Sequence, residues 1–305
     1  MCEAVSPSPG APMEVHVGKA PGGRGGTSLV VAGLAVLLLS GSLVGGCFTV
    51  GSTVQARDTV ALTLVVPVGT PVRVEAFNGG IEVSATSGPD ISAEVERTGE
   101  GSDKEEAEAD RDAIEVTLEL IDGVALLRAV YGPSPDSIPG GSAATVTLAV
   151  PASTRLELVT SNGPVTVRDI SGGVDVRTSN GPVDLDEVAG ALAVETSNGP
   201  VTVGTTGPVA LAVRTSNGGV TVEGALQPGD ATLETSNGPV ELRLPADAAF
   251  TIDATTSNAK ATSEFAVDGA AAESELQGAV GAPDQAAATR ITLRTSNGAI
   301  TLSTD

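Results

Sequence analysis

Apolar residues alternate with polar ones through most of the chain, in runs too short for helices and cut by turn residues. From position 165 the pattern gives Val165 and Val167, a Ser171-Gly172-Gly173 break, Val174 and Val176, then a Ser179-Asn180-Gly181 break. It repeats with Val183, Leu185, Leu192 and Val194, and again with Val201, Val203, Val209, Leu211 and Val213. Val220, Val222, Leu233, Val240, Leu242 and Leu244 continue it. Period-two alternation gives each strand one buried face. Two such strands per turn of chain predict two sheets facing each other across a thin core.

The reversals carry a signature. Thr-Ser-Asn begins at Thr160, Thr178, Thr196, Thr215, Thr235, Thr256 and Thr295; six copies continue into Gly and four into Gly-Pro-Val. The asparagines are Asn162, Asn180, Asn198, Asn217, Asn237, Asn258 and Asn297, at steps of 18, 18, 19, 20, 21 and 39 residues. A short, nearly fixed period marks a solenoid, in which one coil cannot bury its own apolar face and must stack on its neighbours. The fold class predicted is all-β: a single-stranded parallel β-solenoid with two facing sheets and about 18–21 residues per coil. The step of 39 predicts two coils, the middle one having lost its motif, with 269–285 as an Ala-rich acidic excursion and 289–302 restoring a complete coil.

Residue chemistry accounts for the turn. Gly after Asn accepts the positive φ that a tight reversal needs, Ser and Asn side chains replace ladder bonds lost at the corner, and Pro starts the next strand with its fixed φ. In register, the asparagines lie about 4.8 Å apart and form an amide ladder. Asn78, in Phe77-Asn78-Gly79-Gly80, is a worn copy of the same turn. Such a row is a turn device rather than a ligand strip, because the amides satisfy one another and no regular carboxylate accompanies them. A second row precedes the motif: Arg177, Glu195, Arg214 and Glu234 alternate in sign on the solvent side of successive strands. Exposed pairs of this kind contribute roughly 0.2–1 kcal/mol each, and a slip of one coil would oppose like charges.

Residues 54–150 show the same strand grammar with less repetition: 60–66, 72–76, 81–84, 114–120, 125–130 and 145–150 read as strands. One helix is expected, over about 102–113, where Ser102 and Glu105 have capping-box spacing. With little apolar surface it is expected to lie loosely outside the solenoid. Residues 131–141, with Pro133, Pro135 and Pro139, read as a loop that leaves Tyr131 on its own. The organisation is then an export signal or anchor at 1–46, a linker at 47–58, and one solenoid at 59–305. Its parts are irregular at 59–150, regular at 151–258 and irregular again at 259–305.

The N-terminal segment has its own logic. Between Arg24 and Arg57 no residue is charged, and the run from Leu29 to Leu39 is apolar behind Lys19 and Arg24. This is the order of a secretory signal. Val44-Gly45-Gly46-Cys47 resembles a bacterial lipobox, which would make Cys47 a lipid-attachment residue. The alternative is an uncleaved transmembrane anchor from 29 to about 50, long enough to span by the ~20-residue criterion. Met13 is an alternative start. Both anchors place the repeats outside the cytoplasm, attached to the membrane.

Composition narrows the chemistry. The formal net charge is -22. Glu3 and Glu14 cancel Lys19 and Arg24, so the exported part carries all of the excess. Such a surface repels phosphate backbones and excludes nucleic acid as a partner. The two cysteines, Cys2 and Cys47, lie outside the repeats and give no disulfide framework. The sole histidine, His16, is in the leader. No catalytic constellation and no cofactor is expected, and calcium between outward acids is a weak option because no ligand spacing repeats.

These features together resemble the toastrack family of bacterial adhesin-like domains. The matching features, in order, are the Phe77–Val83 rung, the acidic helix near 103–113, Val146-Thr147-Leu148-Ala149-Val150-Pro151, the Thr-Ser-Asn-Gly rungs, and Glu275–Gly278 followed by Leu293–Ile300. The resemblance covers about 60–303. It implies a β-solenoid, extracytoplasmic and membrane-anchored, with no catalytic residues to carry over. Two roles follow as expectations: a non-catalytic adhesin-like module binding an envelope glycan or a membrane protein, or a sensory or assembly component of an envelope-stress system.

Overall fold

The computed structural model describes residues 53–132, 141–282 and 288–305. The leader 1–46 with its His16, Cys47, the prolines of the 133–140 segment and residues 283–287 lie outside them.

In chain order the strands are β1 (Val54–Leu64), β2 (Val72–Ala76), β3 (Ile81–Thr86) and β4 (Ile91–Gly101), then helix α1 (Lys104–Asp112). There follow β5 (Ile114–Ile121), β6 (Val124–Tyr131), β7 (Ala143–Pro151), β8 (Leu156–Asn162), β9 (Val165–Arg168) and β10 (Val174–Asn180). β11 (Val183–Asn198) and β12 (Val201–Arg214) bend so that each serves both sheets. The remainder are β13 (Val220–Glu223), β14 (Gly229–Glu234), β15 (Val240–Leu244), β16 (Phe250–Thr256), β17 (Ala261–Ser263), β18 (Asp268–Ala272), β19 (Glu275–Val280), β20 (Thr289–Thr295) and β21 (Ile300–Thr304).

The first sheet runs β5, β6, β2, β8, β10, late β11, late β12, β14, β20, β16, β19, β18. The second runs β1, β4, β7, β3, β9, early β11, early β12, β13, β15, β21, β17. The coil strands pair in parallel; the antiparallel strands lie only at the two ends, β1, β4 and β5 at one and β18–β19 at the other. The alternating Val, Leu and Ile side chains of both sheets close into one buried core. This is the β-solenoid that the alternation predicts.

The order of winding differs from the sequential stack expected. The first coil in the chain, β2–β3, sits between the later β6–β7 coil and β8–β9. The last, β20–β21, sits between β14–β15 and β16–β17. The 39-residue step therefore holds no worn middle coil. Its chain completes β16–β17 and then forms the hairpin β18–β19, which covers β16 antiparallel. The ladder also starts earlier than expected, because Val54, within the stretch read as linker, pairs with Gly101.

The helix is shifted and better docked than its composition suggests. Asp103, not Ser102, is its N-cap: Asp103 Oδ1 accepts from Glu106 N at 3.0 Å. Glu106 reaches back to Ser102 N at 2.8 Å, and its bonds to Ser102 hold its carboxyl below the usual range. Ala107 is buried. Gly99 and Gly101 of β4 face the helix backbone so closely that a Cβ on either would run into it. Close backbone approach replaces the apolar stripe that the helix lacks.

Candidate functional site

The Thr-Ser-Asn corners form a single continuous edge. Asn180 Nδ2 donates to Asn162 Oδ1, Asn198 to Asn180, Asn217 to Asn198 and Asn237 to Asn217, each at 2.8 Å. Asn297 then donates to Asn237 at 2.7 Å and Asn258 to Asn297 at 2.8 Å. All the amides point the same way along the stack. Asn78 stands apart, its Nδ2 donating to Ser142 O at 2.7 Å. Gly163, Gly181 and Gly199 take φ of 122°, 139° and 159°. Each also lies against the glycine carbonyl of the preceding corner, so a Cβ would collide with it.

The Thr of the motif has a role of its own, which the turn chemistry did not suggest. All seven are buried. Five donate through Oγ1 to the glycine carbonyl of a neighbouring corner: Thr160 to Gly79 at 3.0 Å, Thr215 to Gly199 at 3.3 Å, Thr235 to Gly218 at 2.8 Å, Thr256 to Gly298 at 2.8 Å and Thr295 to Gly238 at 3.0 Å. The Oγ1 atoms of Thr178 and Thr196 are buried without a hydrogen-bond partner. The parity of the strand was the available signal: Thr178 follows Val176 by two and so faces inward with it.

The charged row lies on the outside of the first sheet in the register Arg177–Glu195–Arg214–Glu234. Arg294 and then Thr255 follow Glu234, because β20 is inserted before β16. Contacts are more selective than register. Arg214 pairs with Glu234 at 3.0 Å, whereas Arg177 turns to Glu157 at 3.0 Å and Asp175 at 2.9 Å, and Arg294 to Asp253 at 3.4 Å. Glu195 has register neighbours of opposite sign but no ion pair among the described residues.

A family model, Toastrack DUF4097, matches residues 49–303. The chain belongs to the toastrack family. No curated protein matches this toastrack chain. Among the solved structures that resemble it are a putative cell adhesion protein from Clostridium sporogenes ATCC 15579 and a putative adhesin from Bacteroides fragilis NCTC 9343. The first is 13% identical with a TM-score of 0.37 over 83% of this chain and 100% of that one. The second is 11% identical with a TM-score of 0.42 over 81% of this chain and 97% of that one.

The toastrack solenoid also carries a polar cluster at its N-terminal end, which no local pattern of residues announces. Tyr131 closes β6 instead of standing in a loop; its ring packs 5.9 Å from that of Phe77 and its hydroxyl donates to Asp110. Burial, then that bond, pushes the phenol up to about 12. Asp110 also accepts from Glu100 N at 2.8 Å and Ser142 Oγ at 2.6 Å. Beside it Arg97 grips Asp58 through two nitrogens at 2.9 and 2.6 Å and donates to Ile114 O at 2.9 Å. These groups satisfy one another and tie α1 to the sheets. At the edge opposite the asparagines, Glu187's carboxyl is held above the usual range by a hydrogen bond to Asp169 and by the nearby charges. Among the described residues no group of three or more His, Cys, Asp or Glu is placed to hold a metal, and no helix is long and apolar enough to cross a membrane.

Proposed function

We propose that this toastrack chain is a non-catalytic, membrane-anchored, extracytoplasmic adhesin-like binding module of the bacterial cell envelope. One observation carries the reading. On the outside of the second sheet, Glu82, Thr166, Asp184, Thr202, Thr221, Glu241 and Thr301 occupy one register row. Strand spacing sets them about 4.8 Å apart. Hydroxyls and carboxylates repeated at that interval form a flat hydrogen-bonding strip, rigid because both of its neighbouring rows are core. A strip of this kind suits a ligand that is itself periodic, an envelope glycan above all. The long surface gives many weak contacts in series, which add through effective concentration. The anchor is either a lipid on Cys47 after removal of the leader or an uncleaved apolar span over 29–50, and the chain enters the solenoid a few residues later at β1.

Surface crosslinking of intact cells followed by capture of the full chain tests the reading. Recovery of envelope glycan is the expected result. Recovery of one membrane protein and no glycan would overturn adhesion in favour of a sensory or assembly role.

A further inference from the structure

The amide ladder is uniform in its side chains but not in its backbone. At one end the glycine amide behind each Asn is tied to the next corner. Gly79 N donates to Asn162 O at 2.7 Å, Gly163 N to Asn180 O at 2.8 Å, Gly181 N to Asn198 O at 2.9 Å and Gly199 N to Asn217 O at 3.2 Å. Past this point the corners close differently. Asn217 N, Asn237 N and Asn297 N donate to Ser197 O, Ser216 O and Ser236 O. The amides of Gly218 and Gly238 then have no hydrogen-bond acceptor among the described residues. Gly298 is buried, and its amide is held by Thr295 Oγ1 at 3.2 Å. Asn217 and Asn237 themselves are exposed.

Asn followed by Gly is chemically labile, because glycine has no Cβ to screen its nitrogen and restrict its backbone. We propose that Asn217 and Asn237 are sites of spontaneous, non-enzymatic deamidation, selected by the free Gly218 and Gly238 amides. In the step, the glycine nitrogen forms a bond to the asparagine Cγ and gives up its proton. The Cγ–Nδ2 bond breaks, and the nitrogen takes up that proton and leaves as ammonia. Water then opens the cyclic imide at either carbonyl, giving aspartate or isoaspartate. At 162, 180 and 198 the attacking nitrogen must first give up its bond to the neighbouring coil. At Asn258 the following residue is Ala259, whose methyl group stands in the way.

The product changes the ladder. Asn217 Nδ2 donates to Asn198 Oδ1 at 2.8 Å. After the reaction a carboxylate oxygen stands where the donor was, opposite that acceptor, and an isoaspartate also lengthens the backbone of a closely packed corner. The edge that holds the coils in register thus has a built-in point of chemical ageing near its middle.

The test is to incubate the purified full chain in mildly alkaline buffer and follow each Asn-Gly site by peptide mapping and mass spectrometry, beside the same chain in guanidinium. In the folded protein, 217 and 237 are expected to convert roughly fivefold or more faster than 162, 180 and 198, the factor that first breaking one ordinary hydrogen bond implies. In guanidinium the difference is expected to vanish. Equal rates in the folded chain, faster conversion at 162, 180 and 198, or none at 217 and 237 while the unfolded chain reacts would overturn the proposal.

Discussion

The two edges of each coil are built on opposite terms. On the asparagine edge nothing varies: Val194 to Asn198, Val213 to Asn217 and Leu233 to Asn237 are each 4 residues, and each of those asparagines precedes the next core Val by 3. On the far edge everything varies: from Leu185 to Leu192 is 7 residues, Val203 to Leu211 is 8, Val222 to Ala231 is 9 and Leu242 to Ile252 is 10. Yet Leu192 pairs with Leu211, and the strands of the first sheet stay in register throughout. The drift from 18 to 21 residues per coil is therefore absorbed wholly on one side. Register is set on the edge where one corner repeats, and length is spent on the edge where the connections differ from coil to coil.

The sharpest way to break this contrast is to add a methyl group to each edge. In Gly181→Ala the new Cβ meets the Gly163 carbonyl, and alanine must adopt a φ of 139°. The cost expected is about 3 kcal/mol, as overpacking and backbone strain act together. Gly207, on the far edge, has open space for 4 Å around the point where a methyl group would stand. Gly207→Ala is expected to stay within about 0.5 kcal/mol of the parent. Urea titration of the two variants gives the comparison; equal losses would mean that both edges set register.

The asparagine edge can be divided further by removing one hydroxyl at a time. Thr235→Val keeps the shape of the side chain but takes the donor from the Gly218 carbonyl, at an expected cost of about 1 kcal/mol. Thr178→Val removes a buried oxygen that has no partner, and is expected to be neutral or stabilising by up to about 1 kcal/mol. Thermal unfolding of both variants reads the sign. A loss in each would show that the hydroxyl matters through something other than the carbonyl bond.

These corners also show what the chain discloses and what it hides. Alternation and period give the sheets, the core and the corner register, because each follows from local parity. Even the buried Thr is readable that way. The order of stacking is not. Asn297 has the same motif as its neighbours, and nothing local says that it belongs between Asn237 and Asn258. Parallel coils of one signature offer several equivalent slots, and the choice is made by the hairpin β18–β19, whose antiparallel pairing covers β16 and leaves the inner slot to β20. The same holds for α1. Its composition promises loose attachment, whereas Gly99 and Gly101 on another strand decide how closely it docks. On the outer surface, register was legible and contact was not, since Arg177 is in register with Glu195 but pairs with Asp175 on its own strand and Glu157 on the neighbouring one.

The smallest expected effect concerns that outer surface and compares the two sheets. Arg214 lies between Glu195 and Glu234, so Arg214→Glu sets three carboxylates side by side and removes the 3.0 Å pair with Glu234. Arg243, on the second sheet, faces Glu223 on one side, at 3.1 Å, and Ser303 on the other. Arg243→Glu therefore opposes only two. Both pairs are exposed, so each change is expected to cost no more than about 1 kcal/mol, with Arg214→Glu the larger. Salt separates charge from packing: at high ionic strength the Debye length shrinks to about 3 Å and the carboxylates cease to see one another. The melting temperature of Arg214→Glu should fall below the parent's in low salt, recover towards it in high salt, and recover by more than that of Arg243→Glu. Identical salt responses would mean that the alternation of sign along the first sheet has no part in holding its coils in place.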